Sequence, residues 1–242
     1  MELSDIKGDL HVHSCYSDGT AGIEEMAAAA RKLNLSYMAV TDHSKSLSIS
    51  GGLNEERLKM QGLEIDALNS EHDDFMILKG IEVDILKDGS LDLSADVLEQ
   101  LDIVVASVHS HFQLDKEKQT ERIINAIKDE HVDIIGHLTG RLLNRRPGYE
   151  LDCEEIIKQA SMNKVALEIN AHPDRLDIDE YLAREAKSMG VKIAINSDAH
   201  HPGDLKLLKY GVMNARRGWL QREDVLNTWD CGEVLSFLHR SK

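Results

Sequence analysis

Short apolar runs alternate along the chain with longer segments in which apolar residues recur every three or four positions. The short runs are rich in Ile and Val, which is typical of parallel strands buried on both faces. The longer segments have the periodicity of amphipathic helices. We predict strands at 8–13, 37–42, 76–84, 103–109, 133–137, 165–171 and 191–197, helices near 22–33, 54–70, 116–130, 152–162 and 179–189, and a helical tail from about 204.

The repeated order of strand and helix predicts an α/β fold with a parallel sheet. By itself this pattern fits an open doubly wound sheet and a closed barrel equally well. The chain has 242 residues, of which 42% are hydrophobic, and this is ample for one large core. No low-complexity segment, internal repeat or Pro/Gly-rich linker divides the sequence, so we predict a single domain over 1–242.

Candidate metal ligands stand at or just beyond the ends of most predicted strands. Imidazole and carboxylate groups suit Zn, Mn or Fe. Only a closed ring of strands brings so many strand ends around one cavity, so the ligands favour a barrel with its site at the C-terminal ends of the strands. The nine candidates are His11, His13, Asp18, His43, Glu82, His109, His137, Asp198 and His200.

Taken singly, these residues differ in how strongly they indicate a metal site. His11 and His13 project to the same side of a strand, but a chance HxH is common. Glu82 is more informative, because a carboxylate inside an apolar strand is rarely buried unless it is paired or binds a metal. Asp198 and His200 repeat the two-residue spacing near the other end of the chain. As a set, the candidates indicate a multinuclear metallohydrolase.

The complete series of motifs resembles the polymerase and histidinol phosphatase (PHP) family over the whole chain. The series runs HxH, SDG, TDH, a Glu within a strand, SxH, GH and DxH. The segments GDLHVHSCYSDG, TDHSKSL, GIEVDIL, SVHSHF, LEINAHPDRLD and GVMNARRGWL are most similar to the C-terminal PHP domain of bacterial family X DNA polymerases. The polymerase portion itself is absent from this sequence.

The resemblance implies a distorted (β/α)7 barrel that holds three divalent metal ions (Zn, Mn or Fe) at the C-terminal ends of its strands. It assigns His11, His13, Glu82 and Asp198 to the first ion, Glu82, His109 and His137 to the second, and Asp18, His43 and His200 to the third. Glu82 would then bridge two ions. Ions about 4 Å apart can hold a hydroxide and brace phosphoryl oxygens, so we expect in-line attack on phosphorus.

Basic residues beside the predicted strand ends are candidates for binding a phosphate-ester substrate. The loop TGRLLNRRPG directly follows His137 and concentrates three arginines in an otherwise acidic chain, and the arginine fork matches phosphate oxygens. The expected substrate contacts are Arg141, Arg145, Arg146, Arg175 and Lys45. The residues that we expect to act in catalysis are Glu82, Asp198, Arg141 and His172.

Two kinds of phosphate ester fit these expectations. The family X resemblance implies a 3′–5′ exonuclease acting on single-stranded or gapped DNA, with part of the grip supplied by the absent polymerase domain. The histidinol phosphatases imply a stand-alone phosphatase of small phosphomonoesters. A net charge of −15 and only 4% aromatic residues weaken the DNA version, because single-strand binders usually combine basic grooves with stacking rings.

Two other interpretations are weaker. A non-catalytic module that stabilises a polymerase tends to have lost metal ligands, whereas all nine positions are filled here. An amidohydrolase-type barrel also begins with HxH, but the sequence has no matching lysine at a strand end. Three scattered cysteines suit a reducing compartment, and no apolar run approaches a membrane span, so we expect a cytoplasmic protein without a membrane partner.

Overall fold

Seven parallel strands form one sheet in which the strands follow their order along the chain. The computed structural model describes residues 1–72 and 74–238. Consecutive strands pair with one another, from the first through to the seventh. The strands are β1 (Gly8–Val12), β2 (Tyr37–Val40), β3 (Met76–Asp84), β4 (Ile103–Ser107), β5 (Ile134–Ile135), β6 (Ala166–Asn170) and β7 (Ile193–Asn196). The predicted seven-stranded parallel sheet is therefore confirmed.

Helices connect most of the strands. They are α1 (Ile23–Lys32), α2 (Glu55–Glu71), α3 (Ala95–Leu98), α4 (Lys116–Ile127), α5 (Cys153–Asn163), α6 (Glu180–Ser188), α7 (Leu208–Arg217) and α8 (Cys231–Leu238). Side-chain caps fix several of the helix starts, because Asn54, Asp115, Asp152 and Asp179 each accept a first-turn backbone N–H. Over 1–72 and 74–238, no helix has the length and apolar character needed to cross a membrane.

Polar groups close the seam between β1 and β7. The backbone N–H of His13 donates to the Ala199 carbonyl at 2.8 Å. The side-chain oxygen of Asn196 accepts the backbone N–H of Leu10 at 3.1 Å. A side chain of β7 thus takes the place of a backbone carbonyl as the hydrogen-bond acceptor for β1. The strands thus form a nearly closed α/β barrel of the (β/α)7 type, as predicted.

Successive strand residues pack into two separate buried clusters, as the two-residue period of a strand requires. One cluster, which includes Met38 and Val104, packs against the helices. The other includes Leu78 and Val105 together with Leu226 from the C-terminal segment. That segment also reaches the start of β1, where the Asn227 carbonyl accepts the N–H of Lys7 at 2.7 Å. The C-terminal segment therefore covers the barrel end at which the strands begin.

The expected helical tail is interrupted. Helix α7 ends at Arg217, and Trp219 then has a φ of 59°, a left-handed conformation of the kind that often ends helices. Two 3₁₀ turns, Arg222–Asp224 and Leu226–Thr228, precede α8. This break allows Leu226 to enter the core, which one continuous helix would prevent. Residues 239–242 of the predicted tail lie outside the described residues.

Candidate metal centre

The candidate ligands converge at the C-terminal ends of the strands. His11 lies within β1 and Glu82 within β3, and the other candidates follow strand ends. Three groups have ligand atoms that all lie within 4.8 Å of one another: His13, Asp18, His43 and His200; His11, His13 and Asp198; and His43, Glu82 and His109. The groups share residues, so they form one continuous cluster.

Glu82 occupies the centre of this cluster and is 1% exposed. Its Oε2 atom lies 2.8 Å from His43 Nδ1 and 3.4 Å from His11 Nε2. Its Oε1 atom lies 2.9 Å from His137 Nε2 and 3.3 Å from His109 Nε2. One buried carboxylate thus faces histidines that lie in or just after four different strands, which is the arrangement that a bridging ligand requires.

Two further carboxylates complete the cluster. Asp198 Oδ1 lies 3.1 Å from His13 Nε2, beside the pair formed by His11 and Glu82. Asp18 Oδ1 lies 3.2 Å from His200 Nε2 on the more exposed side. Each of the three groups therefore combines imidazole with a carboxylate.

Several buried atoms of the cluster have no hydrogen-bond partner within the described ranges. They are His11 Nε2, both ring nitrogens of His13, His43 Nδ1, His137 Nδ1 and Glu82 Oε2. Buried polar atoms are normally paired, so unpaired nitrogens that face carboxylates fit ligands arranged around cations. The donor set of imidazole and carboxylate suits Zn, Mn or Fe. The residues present therefore fit divalent metal ions.

Burial and ion pairing shift the pKa values of the cluster in opposite directions. Burial, together with neighbouring His43 and His200, lowers the pKa of His13 to about 3. For His43, burial lowers the pKa, but Glu82 and Asp18 outweigh it and raise the pKa to about 10. Burial likewise opposes ionisation of Glu82, yet the adjacent histidines hold its pKa well below the ordinary range. Glu82 is therefore a carboxylate at neutral pH, and the His13 ring is neutral and free to act as a candidate ligand.

Two carboxylates that the sequence analysis missed contact the Nδ1 atoms of candidate ligand histidines. Glu168 Oε1 lies 2.8 Å from His11 Nδ1, and Asp84 Oδ1 lies 2.8 Å from His109 Nδ1. Such contacts fix the tautomer and orientation of the ring and leave Nε2 facing the cluster. Glu168 lies inside the apolar strand β6, so the signal that identified Glu82 would also have identified Glu168.

The backbone is strained where two candidate ligands follow their strands. His137 has a φ of 26° and Asp198 a φ of 54°, and such conformations cost non-glycine residues about 1–3 kcal/mol each. Side chains of β6 hold both residues in place. Glu168 Oε2 accepts the N–H of His137 at 2.8 Å, and Asn170 Nδ2 donates to Asp198 Oδ2 at 3.0 Å.

Asp42 organises the turn that carries Asp18. Its carboxylate accepts the N–H and the hydroxyl of Ser14 at 2.8 and 2.6 Å, and the side-chain amide of Gln61 at 2.6 Å. It also accepts the N–H of Ser17 at 3.2 Å. Asp42 is fully buried, so it anchors this turn from inside the protein.

The expected substrate-binding residues lie in different surroundings. Arg175 approaches the cluster, with its Nε atom 3.5 Å from Asp198 Oδ2. Arg141 donates Nε to the Arg175 carbonyl at 2.8 Å, so it supports the backbone of that residue. Lys45 pairs with Glu55 at 2.5 Å. Arg175 is therefore the member of this set whose side chain contacts a candidate metal ligand.

The remaining candidates lie on the loops beside the cluster. His172 Nδ1 accepts the backbone N–H of Asp174 at 3.2 Å. The exposed guanidinium of Arg145 lies 3.4 Å from the carboxylate of the same Asp174. Arg146 donates Nη2 to the Gly140 carbonyl at 2.8 Å. Roles for these side chains in binding or catalysis stay predictions.

Curated relatives of this chain include a polymerase and a phosphatase. The chain is 48% identical over 241 residues to the DNA polymerase/3′-5′ exonuclease PolX of Bacillus subtilis (strain 168), a match that covers 100% of this chain and 42% of that protein. It is 34% identical over 251 residues to a probable phosphatase of Thermoanaerobacter sp. (strain X514), covering 97% and 95%. The chain therefore spans less than half of the first relative and nearly all of the second.

Family and fold comparisons agree with the geometry. The histidinol phosphate phosphatase of Lactococcus lactis subsp. lactis Il1403, solved with Zn, L-histidinol and phosphate, shares the fold, with a TM-score of 0.67 at 20% identity and coverage of 89% of this chain and 94% of that one. Residues 9–172 match the PHP domain. With the ligand cluster at its strand ends, this chain belongs to the PHP domain family of metal-dependent phosphoesterases.

Proposed function

We propose that this chain is a 3′–5′ exonuclease domain that hydrolyses phosphodiester bonds at the 3′ end of single-stranded or gapped DNA. The main support is its 48% identity, along its whole length, to a protein named as a polymerase and 3′-5′ exonuclease. Since the chain spans 42% of that relative, a polymerase domain that contributes to the grip on DNA is part of the proposal.

In this proposal the cluster holds three divalent metal ions, Zn, Mn or Fe. Such ions, when bound, lower the pKa of water and polarise phosphoryl oxygens. Glu82 and Asp198 supply the negative charge that retains the cations, and Glu168 keeps His11 oriented through its 2.8 Å contact. The ligands are His11, His13, Asp18, His43, Glu82, His109, His137, Asp198 and His200.

Two side chains beside the cluster act on the substrate in this proposal. Arg175 lies beside Asp198 and is positioned to bind a non-bridging phosphate oxygen. His172 accepts a backbone N–H at Nδ1, so in the neutral ring the proton resides on Nε2. That N–H can donate a hydrogen bond to the leaving oxygen, which takes its proton from water. Arg141 contributes by holding the Arg175 carbonyl in place.

A second candidate function is hydrolysis of small phosphomonoesters. The supporting observation is the match to a probable phosphatase, which covers 95% of that protein. A protein named as a probable phosphatase therefore aligns with this chain over nearly its whole length. The same metal ligands suit hydrolysis of a phosphodiester and of a phosphomonoester. The two functions therefore differ in how the leaving group is bound.

The two functions are distinguished by assaying the manganese-loaded protein on a 5′-labelled single-stranded oligonucleotide and on p-nitrophenyl phosphate. We expect stepwise shortening from the 3′ end that His11→Ala abolishes. The matched control is His131→Ala, because His131 pairs with Asp129 outside the cluster. Turnover of the small ester alone would support the phosphatase. Inactivity on both, with metals bound, would overturn both in favour of a non-catalytic module.

A further inference from the structure

A cleft of about 690 Å³ lies between the loops that follow β4 and β5. Both loops begin at metal-ligand candidates, His109 and His137, and β4 and β5 are paired neighbours. Because consecutive Cα atoms are 3.8 Å apart, the Cα atom of His111 lies within about 8 Å of that of His109. The lining includes His111, Phe112, Arg146, Pro147 and Tyr149. One wall of the cleft, at His111, therefore lies two residues along the chain from a candidate metal ligand.

Flat side chains are layered in this cleft. The guanidinium carbon of Arg146 lies 4.0 Å from the centre of the Phe112 ring. The rings of Phe112 and Tyr149 are inclined by only 18°, with centroids 6.3 Å apart. Arg146 also donates Nε and Nη2 to the Gly140 carbonyl at 3.1 and 2.8 Å, so its planar group is held in a fixed orientation. Fixed guanidinium and aromatic planes are surfaces on which a nucleobase stacks.

The loop backbone is built to allow this layering. Gly140 has a φ of 61°, and a Cβ atom at this position would lie 2.5 Å from Cε1 of Tyr149. A side chain at residue 140 would therefore push Tyr149 away and displace the carbonyl that holds Arg146. The cleft is thus preformed, and its volume lies within the ~300–1,000 Å³ typical of ligand sites.

We propose that this cleft binds, by stacking, a nucleobase next to the scissile phosphate. The inference rests on the proposed exonuclease function and specifies how that site holds its substrate. The protein carries a net charge of −15, which opposes a broad electrostatic grip on DNA. Stacking provides affinity that does not depend on net charge and tolerates any base. In this cleft the aromatic residues Phe112 and Tyr149 act together.

The proposal is tested by binding, independently of cleavage. The probes are two 5′-fluorescein-labelled thymidine pentamers with phosphorothioate linkages, one intact and one abasic at its last two nucleotides. Fluorescence anisotropy of the manganese-loaded protein is expected to show about tenfold tighter binding of the intact probe. Phe112→Leu and Arg146→Lys are expected to abolish this preference, since the first removes the ring and the second keeps the charge without the plane.

The matched control is Arg184→Lys, because Arg184 stacks on Trp219 at 3.8 Å and does not line the cleft. This variant should keep the preference for the intact probe. Equal wild-type affinity for both probes would overturn the proposal, and so would variants that weaken both probes alike. Cleavage is measured separately on the unmodified oligonucleotide. Base preference without cleavage would overturn the exonuclease function alone, and cleavage without base preference would overturn the stacking cleft alone.

Discussion

His11 Nδ1 and Glu168 Oε1 lie 2.8 Å apart, and both side chains are fully buried. His11 belongs to β1 and Glu168 to β6, which do not pair in the sheet, so the contact joins strands that are not neighbours. Burial raises the pKa of Glu168, but His11 outweighs it and the pKa lies below its ordinary value. A metal-ligand candidate is therefore oriented by an ionised carboxylate from a different part of the barrel.

Glu168→Gln is expected to weaken metal binding by about 10- to 100-fold. Glu168 accepts hydrogen bonds from His137 and Asn170 as well as facing His11, and an amide would turn a donor toward one of these groups. Competition with a chromogenic chelator measures the affinity. Glu154→Gln, on the exposed face of α5, is the control. Unchanged affinity in Glu168→Gln would show that this carboxylate does not support the ligands.

Asp42→Ala is expected to lower the free energy of unfolding by about 2–4 kcal/mol, because it leaves several buried donors unpaired. Ser14 and Gln61 both donate to this carboxylate. The same change should reduce catalysis, since the turn carrying Asp18 loses its anchor. Urea unfolding and oligonucleotide cleavage measure the two effects. Full activity in a destabilised Asp42→Ala protein would show that the anchored turn is not needed for catalysis.

Asp177→Asn is expected to change how stability depends on pH. Burial raises the pKa of Asp177 to about 6, so between about pH 4 and 6 the folded protein binds more protons than the unfolded chain. Protonated Asp177 therefore contributes to the free energy of unfolding at low pH, and this contribution is lost as the pH rises through 6. The loss is about 3 kcal/mol.

Urea unfolding in the presence of a chelator, at pH 4, 5, 6 and 7, measures this difference. The stability of Asp177→Asn relative to wild type should increase across the series and then level off. Asp174→Asn, a nearby carboxylate paired with Arg145, provides the comparison. A constant difference between Asp177→Asn and wild type would contradict the raised pKa.

The sequence predicted the strands and the ligand cluster because each depends on local pattern. Apolar runs mark the strands, and parallel strands of a barrel bring their C-terminal ends together whatever the details of packing. Glu82 was found because a carboxylate interrupts such a run. Glu168 interrupts an apolar run in the same way, but the series of motifs that defined the ligand set does not include it.

Other features depend on contacts between distant residues and could not be predicted from local pattern. Arg141 was expected to bind substrate, but whether its donors are free depends on where the Arg175 carbonyl lies, 34 residues further along the chain. The stacking of Arg146 on Phe112 likewise joins two loops of the fold. Composition weighed against DNA binding because it averages over the chain, whereas Phe112, Tyr149 and Arg146 lie together in one cleft.

The most direct test of the central claim compares wild type with Glu82→Gln for metal content and for cleavage of a 5′-labelled oligonucleotide. Loss of partners behind the ligands costs about 10- to 100-fold, so loss of the ligand at the centre of the cluster should exceed about 100-fold and should lower the bound metal. Manganese should restore the chelator-treated wild type and leave the variant inactive. Normal cleavage by metal-depleted Glu82→Gln would contradict a metal-dependent phosphoesterase centred on Glu82.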